Sequence, residues 1–346
     1  MSNESKVVHG LVSLASLVVI VAGLKAASDI LLPVLFSVFL AILGVPLVQI
    51  LHRKAKLPNM VAIPIVVLCF GLGLVAVTAV VGQTVRGFTD QIGQYEASFN
   101  QLAQSGIDLG AQFGIIIDMD LLTKFMHPSV MMGVLGQTLN ALVAVLSRVL
   151  IVIVTMTFIL FEATELELKF KAAFGTEARP AGPFTDATVQ VQRYLVIKSL
   201  ASAITGLFVT LGCMAIGLDF PVMWGFIAFL FNYVPSIGSI VAAIPAILLA
   251  LVQLSPQAAF AVMLLYLAVN IAIGNFLEPR AMGRSLGLSP LVVFLSLLFW
   301  GWVWGPVGML FCVPMTVIVK LFLESQEESR WIAVFLGSPS DVMELT

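Results

Sequence analysis

Two ionisable side chains stand inside otherwise apolar runs, Lys198 in "RYLVIKSLASAITGLFVT" and Glu278 at the end of a run that leads into "GNFLEPRAMGRSLGLSP". A charge at the bilayer centre costs about 2.5–3.5 kcal/mol on insertion scales, so such groups are usually paired or line a path. Lys198 and Glu278 are expected to pair, with Arg280 and Arg284 completing a charged set that holds or releases the link after Glu278. The alternatives are snorkelling of Lys198 to the interface and a purely topogenic role for the arginines. Asp219 and Glu278 are the acids that could titrate if a proton is moved. Neutral chemistry gathers elsewhere. In "NYVPSIGS", Asn232, Ser236 and Ser239 flank Pro235 and Gly238, where a broken helix would leave carbonyls free to meet a hydroxylated solute. Asn270 and Asn275 extend this polar set. In "WGWVWGPVGM", Trp300, Trp302 and Trp304 offer faces suited to one side of a small ring, next to Pro306 and Gly308. An interfacial aromatic belt is the other reading of these tryptophans.

Other chemistries lack their residues. No HExxH or GxxxxGK[ST] occurs, and neither an enzyme nor a cofactor or metal is expected, apart from coupling to H⁺ or Na⁺. Cys69, Cys213 and Cys312 lie far apart in apolar runs, as small hydrophobes rather than a disulfide or metal framework. The formal net charge of −2, without a basic cluster, argues against nucleic acid as a partner.

The elements that must position these groups follow from composition. A mean hydropathy of +1.08, with 17 Lys and Arg and 19 Asp and Glu in 346 residues, leaves too few charges for the surface of a soluble domain. Apolar runs near ~20 residues are long enough to cross the hydrocarbon as helices. The fold class expected is an all-α polytopic membrane protein. Spans are predicted over about 8–26, 30–51, 60–84, 139–161, 193–217 and 256–277, the first as a retained helix rather than a signal peptide. Residues 1–84 form an N-terminal group. Residues 85–138 form an extracytoplasmic segment with an amphipathic helix, whose stripe (Val85, Phe88, Ile92, Tyr95, Phe99, Leu102) covers its own protomer or a partner subunit. A charged cytoplasmic connector follows the fourth span within 139–192. The transport core is 193–323, and 324–346 is a cytoplasmic tail.

The core repeats itself. Residues 220–254 and 288–323 each hold an apolar arm, a Pro/Gly turn and a second arm with an internal proline (Pro245, Pro314). The short first arms and matched interruptions indicate re-entrant hairpins in an inverted repeat, 193–254 and 256–323. Re-entrance also keeps Arg280 and Arg284 cytoplasmic, together with the basic loop Arg53–Lys56 and both termini, as the positive-inside rule asks. The total is about six full spans plus two hairpins.

The segments "NYVPSIGSIVAAIPAILLAL", "GNFLEPRAMGRSLGLSPLVVFLSLLFWGW" and "GPVGMLFCVPMTVIVKL" resemble the signature segments of the autoinducer-2 exporter family. The likeness covers the whole chain in layout, with its specificity in 220–323. It implies a multi-pass protein of the bacterial inner membrane that exports a small, polar, sugar-like quorum-sensing molecule. It also implies a homo-oligomer, a pentamer. Other members are associated with Na⁺(Li⁺)/H⁺ antiport, which stands as the alternative function beside an oligomeric channel or scaffold.

Overall fold

A computed structural model describes residues 3–112, 149–174, 183–235, 237–282, 287–326 and 328–337. Ser236, Arg284, most of 85–138 beyond Gln112, the start of the fourth expected span and the end of the tail lie outside the described residues. The described elements are α1 (Asn3–Ala26), α2 (Ser28–Lys54), α3 (Asn59–Gln112), α4 (Val149–Phe174), α5 (Pro183–Ile216), α6 (Pro221–Phe231), α7 (Gly238–Gln253) and α8 (Pro256–Val269). A π-helical segment (Asn270–Leu277), α9 (Glu278–Met282), α10 (Pro290–Glu324) and α11 (Arg330–Leu336) complete them. No strand occurs among the described residues.

Ser28–Lys54, Asn59–Val80, Val189–Ile216 and Pro256–Ala281 are long and apolar enough to cross a membrane. Their outer faces carry large bare hydrophobics, such as Leu68 at 63% and Leu207 at 57% exposure, a surface that water would disfavour and lipid does not. The chain is an all-α, multi-pass membrane protein. Pro290–Glu324 also has the length of a span, but Gly305 breaks it at φ 64°, ψ −148°. The indole Nε1 of Trp300 donates to Thr316 Oγ1 at 3.1 Å. Sixteen residues of straight helix would separate these groups by about 24 Å, so the two halves of α10 fold back on each other.

Local sequence sets several boundaries. Ser255 and Ser289 cap α8 and α10, their hydroxyls accepting from Ala258 N and Val292 N, with Pro256 and Pro290 in the first turn where no amide is needed. Phe220, at φ 57°, turns the chain into α6 just before Pro221. The link expected after Glu278 is helical in its first part. Helix continues through Pro279 to Met282, and Pro279 is no breaker. The wider turns come immediately before it, with Glu278 N–H bonded to Ile273 O. That widening relieves the pressure a proline ring puts on the carbonyl four residues back.

The chain divides into two compact units. The first comprises Met1–Phe70, Arg148–Ala187 and Leu288–Thr346. In it α2 packs along α4, where Gly44 sits against Met156, Leu160 and Val66. Ile63, Met156 and Leu160 are fully buried there, and Phe36 and Phe39 meet Phe311 edge-on. The second comprises Gly71–Ser147 and Thr188–Gly287. Its core holds Trp224, Val209, Cys213, Ala246, Ala250 and Val262 at or near zero exposure, contributed by α5, the α6–α7 pair and α8.

Candidate functional site

Within the second unit, α6 and α7 form a helical hairpin. Its base is closed by Gln253, whose side-chain oxygen accepts from Asp219 N at 2.9 Å and whose amide donates to Gly217 O at 3.3 Å. Trp224 Nε1 donates to Asp219 O at 2.9 Å. At the tip, Pro235 supplies no amide and Gly238 packs directly onto the Phe231 carbonyl oxygen, with a hypothetical Cβ 3.0 Å from Val234 Cβ. No side chain fits there. The second hairpin, in the other unit, closes identically in kind: Gly308 packs on the Trp300 carbonyl, and its hypothetical Cβ would be 3.0 Å from Trp304 Cβ. The pairing of Pro235/Gly238 with Pro306/Gly308 seen in the sequence therefore has one local geometry behind it.

Small residues bring the first hairpin onto α5. Gly206 and Gly225 face each other, each lying against the other's carbonyl oxygen, and Gly225 also touches Thr210 Oγ1. Beyond that crossing the tip docks by side chains. Asn232 Nδ2 donates to Ser202 Oγ at 2.9 Å, and Tyr233 Oη donates to Ser199 Oγ at 2.7 Å. Ser202 lies near the midpoint of the Val189–Ile216 span, so the tip reaches half-way along it. With 11 residues, α6 is only about 16 Å long.

A small cavity lies where tip, α5 and α8 converge. Thr205, Asn232, Ser239, Tyr266 and Asn270 supply its polar lining, and Val209, Ala228, Ala242 and Val269 the apolar part. About 10 Å³ is open to the centre of a water molecule, roughly the room one water needs. The Tyr266 hydroxyl is buried without a hydrogen-bond partner, an arrangement that ordinarily costs about 1–3 kcal/mol. Asn270 opens the π-helical segment and turns its side-chain oxygen towards Gly274. π-helical turns often mark functional positions, because the widened ladder redirects side chains.

Lys198 and Glu278 are in contact, as expected. Lys198 Nζ donates to Glu278 Oε1 at 2.6 Å, with the two side chains 9% and 15% exposed. Neither lines the cavity. Arg280 is exposed, its guanidinium 5.7 Å from the Phe276 ring centre. Asn275 is exposed on the π-helical segment and away from the cavity lining. Asp219 belongs to the hairpin base, where the Tyr95 hydroxyl donates to its Oδ2 at 2.8 Å and also meets the Gln91 side-chain amide. Burial, then the hydrogen bond and charge of Asp219, push the Tyr95 phenol well above its ordinary pKa. Tyr95 thus contacts its own chain. The side chains of Phe88, Ile92 and Phe99 lie outside the described residues.

The tryptophans of the second tip each have a partner in this geometry. Trp300 is held by Thr316, and Trp304 Nε1 donates to Leu24 O at 3.0 Å. Trp302 is exposed with the Lys25 ammonium 4.5 Å above its ring. Pro306 follows the Gly305 break and lines no described cavity. Sequence reasoning passed over Thr205, Tyr266 and Gln253 as site residues. Tyr266 and Asn270 were legible as one stripe four residues apart, and Thr205 follows Ser202 by three. Gln253 carried no signal beyond being polar at the end of an apolar arm.

No group of three or more His, Cys, Asp or Glu able to hold a metal occurs among the described residues. Residues 14–327 match the AI-2E family transporter family. The chain is 37% identical to the AI-2 transport protein TqsA of Escherichia coli (strain K12), covering 94% of each chain. It is 35% identical to YhhT of the same organism over 95% and 94% of the two chains. Against a Haemophilus influenzae protein it is 33% identical over 99% of both. The last two are named for transport, without a cargo. The family and the relatives make this a transport protein and not an enzyme. The chain belongs to the AI-2E transporter family.

Proposed function

We propose that this protein is a secondary transporter of the bacterial inner membrane that exports a small polar signalling metabolite, autoinducer-2. The observation that carries the reading is the half-depth hairpin. Its two ends are tied together by Gln253, its tip docks at mid-span on Ser199 and Ser202, and a polar cavity lies beside that tip. In a bilayer, a broken helix is tolerated where protein or a watery cavity receives its free backbone groups, and transporter sites are built there. An 11-residue arm reaches about half of a ~30 Å core, which supports re-entrance of the first hairpin and, with it, a cytoplasmic Arg280. The cavity is closed to anything larger than about one water in this state, so carriage requires the tip to separate from α5 or α8. The buried Lys198–Glu278 pair is suited to hold one such state. The name and 37% identity of TqsA direct the choice of cargo.

Cation–proton antiport through this cavity is the weaker reading, because no carboxylate among the described residues lines it. Glu278 faces Lys198, and Asp219 faces Tyr95 at the hairpin base. A homo-oligomeric assembly and coupling to H⁺ or Na⁺ belong to the same proposal. Autoinducer-2 efflux from loaded proteoliposomes tests it, with imposed ion gradients identifying the coupling ion. Saturable, cargo-selective flux is expected. Flux proportional to concentration without saturation would make it a channel, and no flux would refute transport of this cargo.

A further inference from the structure

We propose that the cavity beside the hairpin tip takes its ligand only as an uncharged, hydroxylated molecule, excludes anionic derivatives of it, and uses the Tyr266 hydroxyl as a recognition group. This rests on reading the cavity as the cargo site. The polar lining is Thr205, Asn232, Ser239, Tyr266 and Asn270, all neutral groups that both donate and accept. The remaining lining is apolar, and among the described residues no Asp, Glu, Lys, Arg or His contributes. Such a wall suits the hydroxyls of an uncharged molecule admitted when the tip separates from α5 or α8. It offers an ionised group no counter-charge.

The charges on the surrounding helices do not change this. Lys198 precedes Thr205 by seven residues, about 10 Å along α5, and its charge is cancelled by Glu278. Asp219 stands at the far end of the hairpin, bonded to Tyr95. An anion entering the cavity would lose its hydration without a counter-charge, whereas a neutral hydroxyl exchanges one set of hydrogen bonds for another. Asn232 and Tyr233 are already engaged with Ser202 and Ser199. The Tyr266 hydroxyl, by contrast, is buried and unpartnered, so a ligand gains its full hydrogen bond without displacing a protein partner.

The test uses the purified full-length protein in detergent, titrated with D-ribose, erythritol and their monophosphates, read by ligand-dependent thermal stabilisation. A neutral compound is expected to bind and its phosphate to bind at least about a hundredfold more weakly. The Tyr266→Phe variant should bind the neutral compound about five- to tenfold more weakly. Without ligand it should melt at a higher temperature than the unmodified protein, because an unpaired buried hydroxyl has been removed. A merely structural tyrosine would show the reverse in the apo melt. Equal or tighter binding of the phosphate, binding of neither class, or unaltered affinity in Tyr266→Phe would overturn the inference. Autoinducer-2 efflux is measured in parallel on the same protein reconstituted into vesicles. Its absence with intact charge discrimination refutes the cargo assignment alone, and its presence without discrimination refutes this inference alone.

Discussion

Breaking the Lys198–Glu278 pair gives the sharpest check on the proposed gate. The two groups are 2.6 Å apart with side chains 9% and 15% exposed, so water can screen neither well. Lys198→Met leaves Glu278 charged and buried, and Glu278→Gln does the same to Lys198. Each single change should cost about 3–5 kcal/mol, the usual cost of stranding one member of a buried pair. The double variant has no stranded charge, and methionine nearly matches the lysine stem in volume. It should recover most of the loss, giving a coupling energy of about 2 kcal/mol or more. Unfolding midpoints in one mild detergent measure the stability cycle. Initial efflux rates at matched reconstitution measure whether the same coupling acts in transport. Additivity within about 0.5 kcal/mol in both readouts would show that the residues act independently and would remove the gate. Coupling in stability with additive transport rates would reduce the pair to a helix fastener.

Gly238→Ala and Gly308→Ala each place a Cβ on a backbone carbonyl, that of Phe231 or Trp300, and should cost at least about 3 kcal/mol, seen as loss of a monodisperse species on size exclusion. Gly23→Ala meets open space and is the control. Tyr95 has a raised folded-state pKa, so its contribution is fully present below the unfolded phenol pKa of about 10 and lost as pH rises beyond it. The unmodified protein should therefore lose stability above about pH 10 more steeply than Tyr95→Phe, and parallel curves would contradict the buried Tyr95–Asp219 contact. Ala281→Cys, with Cys69, Cys213 and Cys312 replaced by serine, should react in whole cells only with thiol reagents that cross the membrane. Labelling by an impermeant reagent would reverse the proposed orientation and with it the re-entrant hairpins.

Much of this architecture is decided locally and was therefore visible in the sequence. Apolar runs become helices because a bilayer leaves backbone groups no other partner, and Ser255–Pro256 and Ser289–Pro290 mark helix starts through their own caps. The hairpin tips were legible because Pro and Gly at matched spacing act on the few residues around them. Pairing of Lys198 with Glu278 was inferable because a buried charge demands a counter-charge and few candidates existed. Other features depend on residues far apart in the chain meeting at ångström precision. Tyr95 reaches Asp219 across 124 positions and makes that acid part of a hairpin base. Trp300 spends its indole on Thr316 across the fold of α10. The widened turns before Pro279 accommodate its ring, where the sequence alone did not say whether the helix would widen or break. The same holds for Tyr266: residue type says a phenol wants a partner, and only the packing of α5, α7 and α8 leaves this one without any. Composition determined the solvent and the secondary structure, while the tertiary structure decided which polar groups satisfy one another and which are left for a ligand, because hydrogen bonds saturate and depend on distance.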